Sequence, residues 1–335
     1  MMIRIPLWKL SEIIRSSGRE IYEKVHIDTE YEEEKTMSRI LVSGLANIEV
    51  TCRVEEFPIK YQPIDYNFFG VNLAVAGVGY NLVKSFATLG DDVDFATYVG
   101  EDMAAKLVLA ELSEATGDTL FRRELTQTPA SVVLYDKTGA RRIYCDLKDI
   151  QDKSYDFSKV DVCSYDIVAA CNINFSRPLL HTAKAAGVPI ATDVHVFSDI
   201  DDAYNQEFLQ YADIVFLSNE NIVGQEKNFV EKIAGRFDAG IIVVGRGSAG
   251  ALMYVRDENR FYDMPAAKPE RIVNTVGAGD CLFSTFVSMY AKKNMSPQQC
   301  LTLAQQAAAY KIGFDGAAVG FRSFDVENLI FHKSE

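Results

Sequence analysis

Between residues 166 and 245, short apolar runs alternate with stretches of helical spacing: Ile167–Ala170, Pro189–Thr192, Ile214–Leu217 and Ile241–Val244. Runs apolar at every position, rather than at every second one, belong to strands buried on both faces. With helices between them they predict βαβ units and a parallel sheet. Ile40–Gly44 is a similar run and reads as the first core strand. Leu89-Gly90 through Asp102 reads as strand, tight turn and helix start. Ser131–Tyr135 and Arg141–Cys145 flank Asp136–Ala140 as a hairpin. Leu82, Val83, Phe86 and Ala87 mark one helix, and Ala278, Cys281, Leu282, Thr285, Phe286 and Met289 mark another; Leu301–Phe314 also has helical spacing. Ligands of such sheets bind beyond the carboxyl ends of the strands, where Asp193, Asn219 and Gly245 stand.

The first 37 residues follow a different rhythm. Leu7, Leu10, Ile14, Ile21 and Val25 suggest an amphipathic helix interrupted at Ser16-Ser17-Gly18, and the acidic run Glu30–Glu34 reads as a solvated connection. Residues 1–37 are therefore expected to form a helical extension, and 38–330 the main domain.

Composition narrows the partners. The chain of 335 residues is 48% hydrophobic and 24% charged, ordinary for a well-cored protein, and carries a net charge of −13. That charge argues against nucleic acid or an anionic membrane surface. A nucleotide pocket would need local backbone N–H groups or an arginine. Six cysteines (52, 145, 163, 171, 281, 300) and four histidines (26, 181, 195, 332) are dispersed without zinc or redox spacing, so no protein-built metal site is expected. No apolar run reaches the roughly 18 residues of a membrane span, and no signal peptide is evident. A cytoplasmic location is expected.

The chemistry concentrates in Asn274-Thr-Val-Gly-Ala-Gly-Asp280, a small-residue turn running straight into a helix. Gly277 and Gly279 let a ligand approach the backbone. The N–H groups and positive dipole end of the first turn, from Gly277 through Ala278 to Gly279, make an anion hole suited to phosphate. A carboxylate beside such a hole repels the ligand unless it has its own task. For Asp280 that task is to take a proton from an attacking hydroxyl; the plainer reading is a helix cap. Gly245-Arg-Gly-Ser-Ala-Gly250 spells a dinucleotide fingerprint, but the strand pattern Ala251–Val255 follows it where that fingerprint requires a helix.

The segment 274–280 resembles the Asp-Thr-x-Gly-Ala-Gly-Asp signature of the ribokinase-like (PfkB) carbohydrate kinases, and an ordered series of weaker matches extends the resemblance over about residues 39–325. Asn47-Ile-Glu49 resembles the family's Asn-x-Asp, Ala76-Gly-Val-Gly-Tyr-Asn81 its Gly-Gly-x-Gly-x-Asn, and Gly245–Gly250 its Thr-x-Gly-x-x-Gly nucleotide loop. The resemblance implies an α/β, ribokinase-like fold: a central, mostly parallel sheet between helices with a small β-sheet lid, its segments at about 48–64 and 130–147. It implies ATP-dependent phosphorylation of a sugar or sugar-acid hydroxyl, with Asp280 as general base. Asn47, Glu49, Gly77, Gly79, Asn81 and Arg142 would hold the substrate, with Arg141 an alternative to Arg142. Asn219, Gly245, Arg246, Gly247 and Gly250 would hold ATP, whose phosphates carry Mg²⁺. A homodimer formed through the lid is the expected assembly.

Several positions depart from the pattern: Glu49, Ala76, His195, Ile222, Gly245 and Asn274. Ile222 replaces the Glu that organises water around Mg²⁺, leaving Glu220 nearby. Asn274 replaces the acid that helps hold the monovalent cation in potassium-activated members, so K⁺ activation is not expected. Two other readings stay open. One is a nucleoside kinase of the same fold, with Tyr80 or Phe69 as the face for a base. The other is a relative that binds ligand without catalysis.

Overall fold

A computed structural model describes residues 37–324 apart from 114, 117, 118, 139, 293 and 294. The expected extension at 1–37 therefore falls, except for Met37, outside the described residues.

The first strand, β1 (Arg39–Ser43), is apolar throughout its middle and lies inside a nine-stranded sheet. On one side it pairs in parallel with β4 (Asp92–Val99), which pairs with β5 (Thr119–Arg123). On the other side lie β8 (Ile167–Ala170), β9 (Ile190–Val196), β10 (Ile214–Ser218) and β11 (Ile241–Gly245), all parallel. These last four coincide with the four apolar runs of the sequence. The edge is finished by two antiparallel strands, β12 (Ala251–Val255) and β13 (Arg260–Met264). A strand thus follows the glycine loop at 245–250, and no dinucleotide helix does.

From β1 to β4 the chain moves one way across the sheet; from β8 to β11 it moves the other way. Right-handed crossovers place the intervening helices on opposite faces. On one face α1 (Val78–Thr88) packs on β1 and β4. On the other, α3 (Arg177–Ala186) and α4 (Ala203–Tyr211) pack on β8 and β9, and α5 (Glu226–Arg236) packs on β11 and β12. Between β4 and β5 runs α2 (Met103–Ser113). The last two helices, α6 (Ala278–Ala291) and α7 (Pro297–Lys311), pack on each other, and α6 packs on α1. Phe216 of β10 meets Phe283 and Phe286 of α6 edge-on at 5.2 and 5.3 Å, fixing that helix to the sheet. Aromatic pairs of this kind add ~0.5–1.5 kcal/mol beyond their burial. The direction reverses between β1 and β8. Their carboxyl ends, at Ser43 and Ala170, mark the topological switch point where ligands of open α/β sheets bind.

A second sheet has four strands in the order β3 (Val71–Ala76), β2 (Asn47–Arg53), β6 (Ala130–Tyr135) and β7 (Arg141–Asp146). Its two outer pairs are antiparallel and the central pair is parallel. Side chains alternate across a strand, so the register sorts its residues into two faces. Asn47, Glu49, Ser131, Cys145 and Arg141 share one; Val71, Leu73, Val132, Arg142 and Tyr144 share the other. The second face is apolar and open to solvent, Leu73 being 60% exposed. Residues 54–64, read from sequence as a continuation of this layer, have no regular structure.

Candidate active site

Asp280 is the third residue of α6, at the switch point. Gly277 caps the helix in the left-handed region (φ 79°), and a Cβ there would lie 2.2 Å from the Ala317 carbonyl oxygen. Only glycine fits both the torsion and the approach. Gly279 differs: a Cβ there would meet nothing within 4 Å, so its backbone faces open space. The Ala278 N–H donates to the Thr275 carbonyl at 3.2 Å, within the turn. The Gly279 end of the turn is thus the part presented to a ligand.

The Asp280 carboxylate accepts a 2.6 Å hydrogen bond from the Asn81 side chain. Cys171, Asp193, Val78 and Phe283 line a narrow cavity with it. Burial pushes its pKa up to about 6; the Asn81 N–H, His195 and Lys311 pull downward and Asp193 pushes upward. A base with that pKa is ionised at neutral pH and still basic enough to accept a proton. His195 holds the left-handed region (φ 56°), where its N–H reaches Asp193 at 2.8 Å.

Of the residues assigned to the substrate, Asn81 touches this cluster through Asp280, while Asn47 and Glu49 stand on one face of the small sheet. Asn47 is buried and donates to Ser131 Oγ at 2.8 Å. The carboxamide oxygens of Asn47 and Asn81 are both buried and have no hydrogen-bond partner. Buried acceptors are seldom left so, and both are available to the donors of a ligand. Glu49 is half-buried, which raises its pKa; Arg141 opposes that rise. Gly77 (φ 107°) lets the chain turn from β3 into α1 beside the Leu45 carbonyl.

Two assignments sit differently in the structure. A Cβ on Gly79 would strike Gly44 and Phe95, so helix-to-strand packing is enough to require this glycine. Arg142 lies opposite Leu134 on the face away from Asn47 and Glu49, over the Tyr144 ring. Strand alternation puts Arg141, not Arg142, on the side of Glu49.

The nucleotide loop follows β11. Gly247 (φ 54°) opens to space, whereas a Cβ at Gly250 (φ 94°) would collide with the Met264 carbonyl. A Cβ at Gly245 would make only ordinary contacts, so steric need does not explain that glycine. Arg246 is ion-paired with Asp263 of β13 and mostly buried, so its charge is already answered within the protein. Asn219 donates to Glu226 at 2.9 Å, and that bond holds the Glu226 carboxyl below the usual carboxylate range. Ile222, at the position of the expected Glu, is buried in the core.

Behind the anion-hole turn, residues 273–276 are tied to the loop after α7. The N–H groups of Val273 and Asn274 donate to the Ile312 carbonyl at 2.8 and 3.2 Å. The Asn274 side chain donates to Asp315 at 3.0 Å and accepts from Val276 N–H at 2.9 Å.

The family model described as pfkB family carbohydrate kinase matches residues 37–321. The chain belongs to that family. It is accordingly a phosphotransferase with a hydroxyl acceptor. The ATP-dependent ribose-1-phosphate kinase of Halopiger xanaduensis is 24% identical over 288 residues, covering 84% of this chain and 94% of its own. The ketohexokinase of Mus musculus is 24% identical over 299 residues, covering 83% and 97%. Among solved structures, a microbiome-derived acarbose kinase superposes with a TM-score of 0.77 at 23% identity, covering 88% and 97%. Arabidopsis thaliana ribokinase in complex with ribose and ATP gives 0.71 at 21%, covering 89% and 99%. These likenesses show the ribokinase-like fold.

Within this PfkB kinase, two charged side chains near the site escaped the sequence reading. Glu226 opens α5, and its place as an acid in the first turn of a helix is the one signal that could have found it. Lys311 sits in an alanine-rich helix and looks like a surface lysine; nothing in the sequence marks it. No helix among the described residues is long and apolar enough to cross a membrane.

Proposed function

We propose that the protein phosphorylates a hydroxyl of a sugar or sugar acid at the expense of ATP. The observation that carries this is one arrangement: a half-buried carboxylate, Asp280, at the phosphate-accepting turn 277–279 and hydrogen-bonded to Asn81, whose Oδ1, like that of Asn47 in the small sheet, is buried and unpartnered. The acceptors orient the hydroxyls of the substrate. Asp280 takes the proton from the attacking hydroxyl as its oxygen bonds to the γ-phosphorus of ATP. The bond from that phosphorus to the β–γ bridging oxygen breaks, and ADP leaves. The turn at Gly277–Gly279 donates to the oxygens of the transferred group, whose charge it stabilises because it is already oriented.

Gly247 and Gly250 shape the loop that receives the nucleotide, with Asn219 beside it. Among the described residues no group of three or more His, Cys, Asp or Glu could hold a metal. Mg²⁺ commonly keeps its waters and binds through phosphates with one or two carboxylates. The ionised Glu226, held by Asn219, fits such an outer role. The ion would neutralise phosphate charge.

Of the two rings considered for a nucleoside base, Tyr80 is buried, with its hydroxyl donating to Glu111 at 3.2 Å, and offers no face; Phe69 is fully exposed, so the nucleoside reading is an arm of the test. The open apolar face of the small sheet, with Val71, Leu73 and Val132, supports the reading that this sheet is a lid through which two copies associate.

The test is ATP turnover with Mg²⁺ over a panel of sugars, sugar acids and nucleosides, for wild type and Asp280→Asn together. A signal that depends on one sugar and vanishes in the variant is the expected result. A signal with nucleosides alone replaces the substrate class. ATP binding without turnover on the whole panel replaces the kinase by a silent binder.

A further inference from the structure

Lys311, the last residue of α7, is 0% exposed. Lysines are almost never stripped of water unless something answers the charge. Its Nζ donates to the Gly316 carbonyl at 2.7 Å. Burial lowers its pKa; Cys281, Asp280 and Asp315 work the other way. It also stands in the last turn of its helix, where the macrodipole favours a cation.

The loop that Lys311 reaches matters for the site. Its next residue, Ala317, lays a carbonyl over Gly277 closely enough that no Cβ fits between them. Ile312 and Asp315, in the same loop, bind the segment that leads into the turn. The lysine is therefore tied to the back of the segment that forms the anion hole. A residue needed only to fill the volume would be a methionine or leucine, which carries no charge to desolvate.

We propose that Lys311 is a positioning residue for phosphoryl transfer: a buried ammonium, fixed on the Gly316 carbonyl, that braces the 315–317 loop behind the Gly277–Gly279 turn and supplies positive charge toward Asp280. The inference rests on the reading of Asp280 as the base. The groups that face or interact with Asp280 are Asn81 from α1, Cys171 after β8, Asp193 and His195 from β9, Cys281 beside it on α6, and Lys311 from α7. Removing Lys311 takes a positive charge from that set, and Asp280 then holds its proton to a higher pH.

Two variants separate charge from contact: Lys311→Met keeps the volume, and Lys311→Gln keeps a donor for Gly316 without charge. In both, kcat at pH 7 should fall at least ~10-fold, and the acid limb of the kcat profile should move to higher pH. KM for the sugar should change little. A merely structural lysine would lower stability and leave the limb in place, and that outcome overturns the proposal. A readout free of turnover runs alongside: the melting difference between Asp280 and Asp280→Asn, followed against pH with Lys311 present and replaced. Its midpoint should move up when the lysine is lost; an unmoved midpoint overturns the proposal. A wild type that phosphorylates nothing defeats the kinase reading, and this second measurement still decides for or against Lys311.

Discussion

The Asn81 side chain donates to Asp280 at 2.6 Å, although the two residues stand 199 apart in the chain. One amide therefore joins the helix after the small sheet to the helix that carries the base. It spends its N–H on the carboxylate and leaves its buried oxygen free for a ligand.

Replacing Asp280 by Asn should leave binding of both substrates close to wild type and lower kcat by at least ~10³-fold. The wild-type rate should fall as pH drops through about 6, where the base protonates. Stability should show the converse. Because the fold raises this pKa from 3.8 to about 6, its contribution is full below about pH 4 and is lost as pH rises through 6. Asp280→Asn should thus be more stable than wild type at pH 8, by at most ~3 kcal/mol. Melting curves at pH 4 and pH 8 check the sign.

The two glycines of the turn should fail in opposite ways. Gly277→Ala forces a side chain into a left-handed torsion and against Ala317, so it should cost ~2 kcal/mol or more. Gly279→Ala has room and gains helix propensity, so the fold should be unharmed. Its methyl group stands where the transferred phosphoryl must approach, and kcat should drop ~10²-fold or more. Denaturation and kinetics on the pair decide it; a Gly279→Ala enzyme with full turnover would remove the anion hole from its assigned place.

Glu226→Gln should raise the Mg²⁺ concentration needed for half-maximal rate by roughly 10-fold, as loss of an outer-sphere partner does. Glu220→Gln should leave it unchanged. The comparison is a Mg²⁺ titration at fixed ATP.

Asn274 bridges Asp315 and the Val276 N–H within the protein. Rates in K⁺ and in Na⁺ should therefore agree. Asn274→Asp would set a second carboxylate 3.0 Å from Asp315, and that repulsion calls for a cation. The variant should acquire a dependence on monovalent salt, read by replacing K⁺ with choline.

How much of this could be read from the chain depended on how local the cause was. The strands β8 to β11 were legible because burial on both faces leaves a continuous apolar run. The turn at 277–280 was legible because glycine, glycine and acid sit side by side. Arg142 was misplaced because strand alternation relative to Glu49 depends on the register β7 adopts with β6, and β6 with β2. Glu226 was missed because the chain curls through 219–225 before returning its carboxylate to Asn219. Lys311 was invisible because its burial is decided by a loop that follows it.

Between the last residue of β3, Ala76, and the first of α1, Val78, there is only Gly77. One of the links between the small sheet and the rest of the protein is thus a single residue that leads straight into the helix bearing Asn81. A tilt of that sheet not absorbed in the torsions of Gly77 is passed on to the helix whose Asn81 holds the Asp280 carboxylate. If Asp280 is the proposed base, its strength is in this way mechanically wired to the posture of the small sheet.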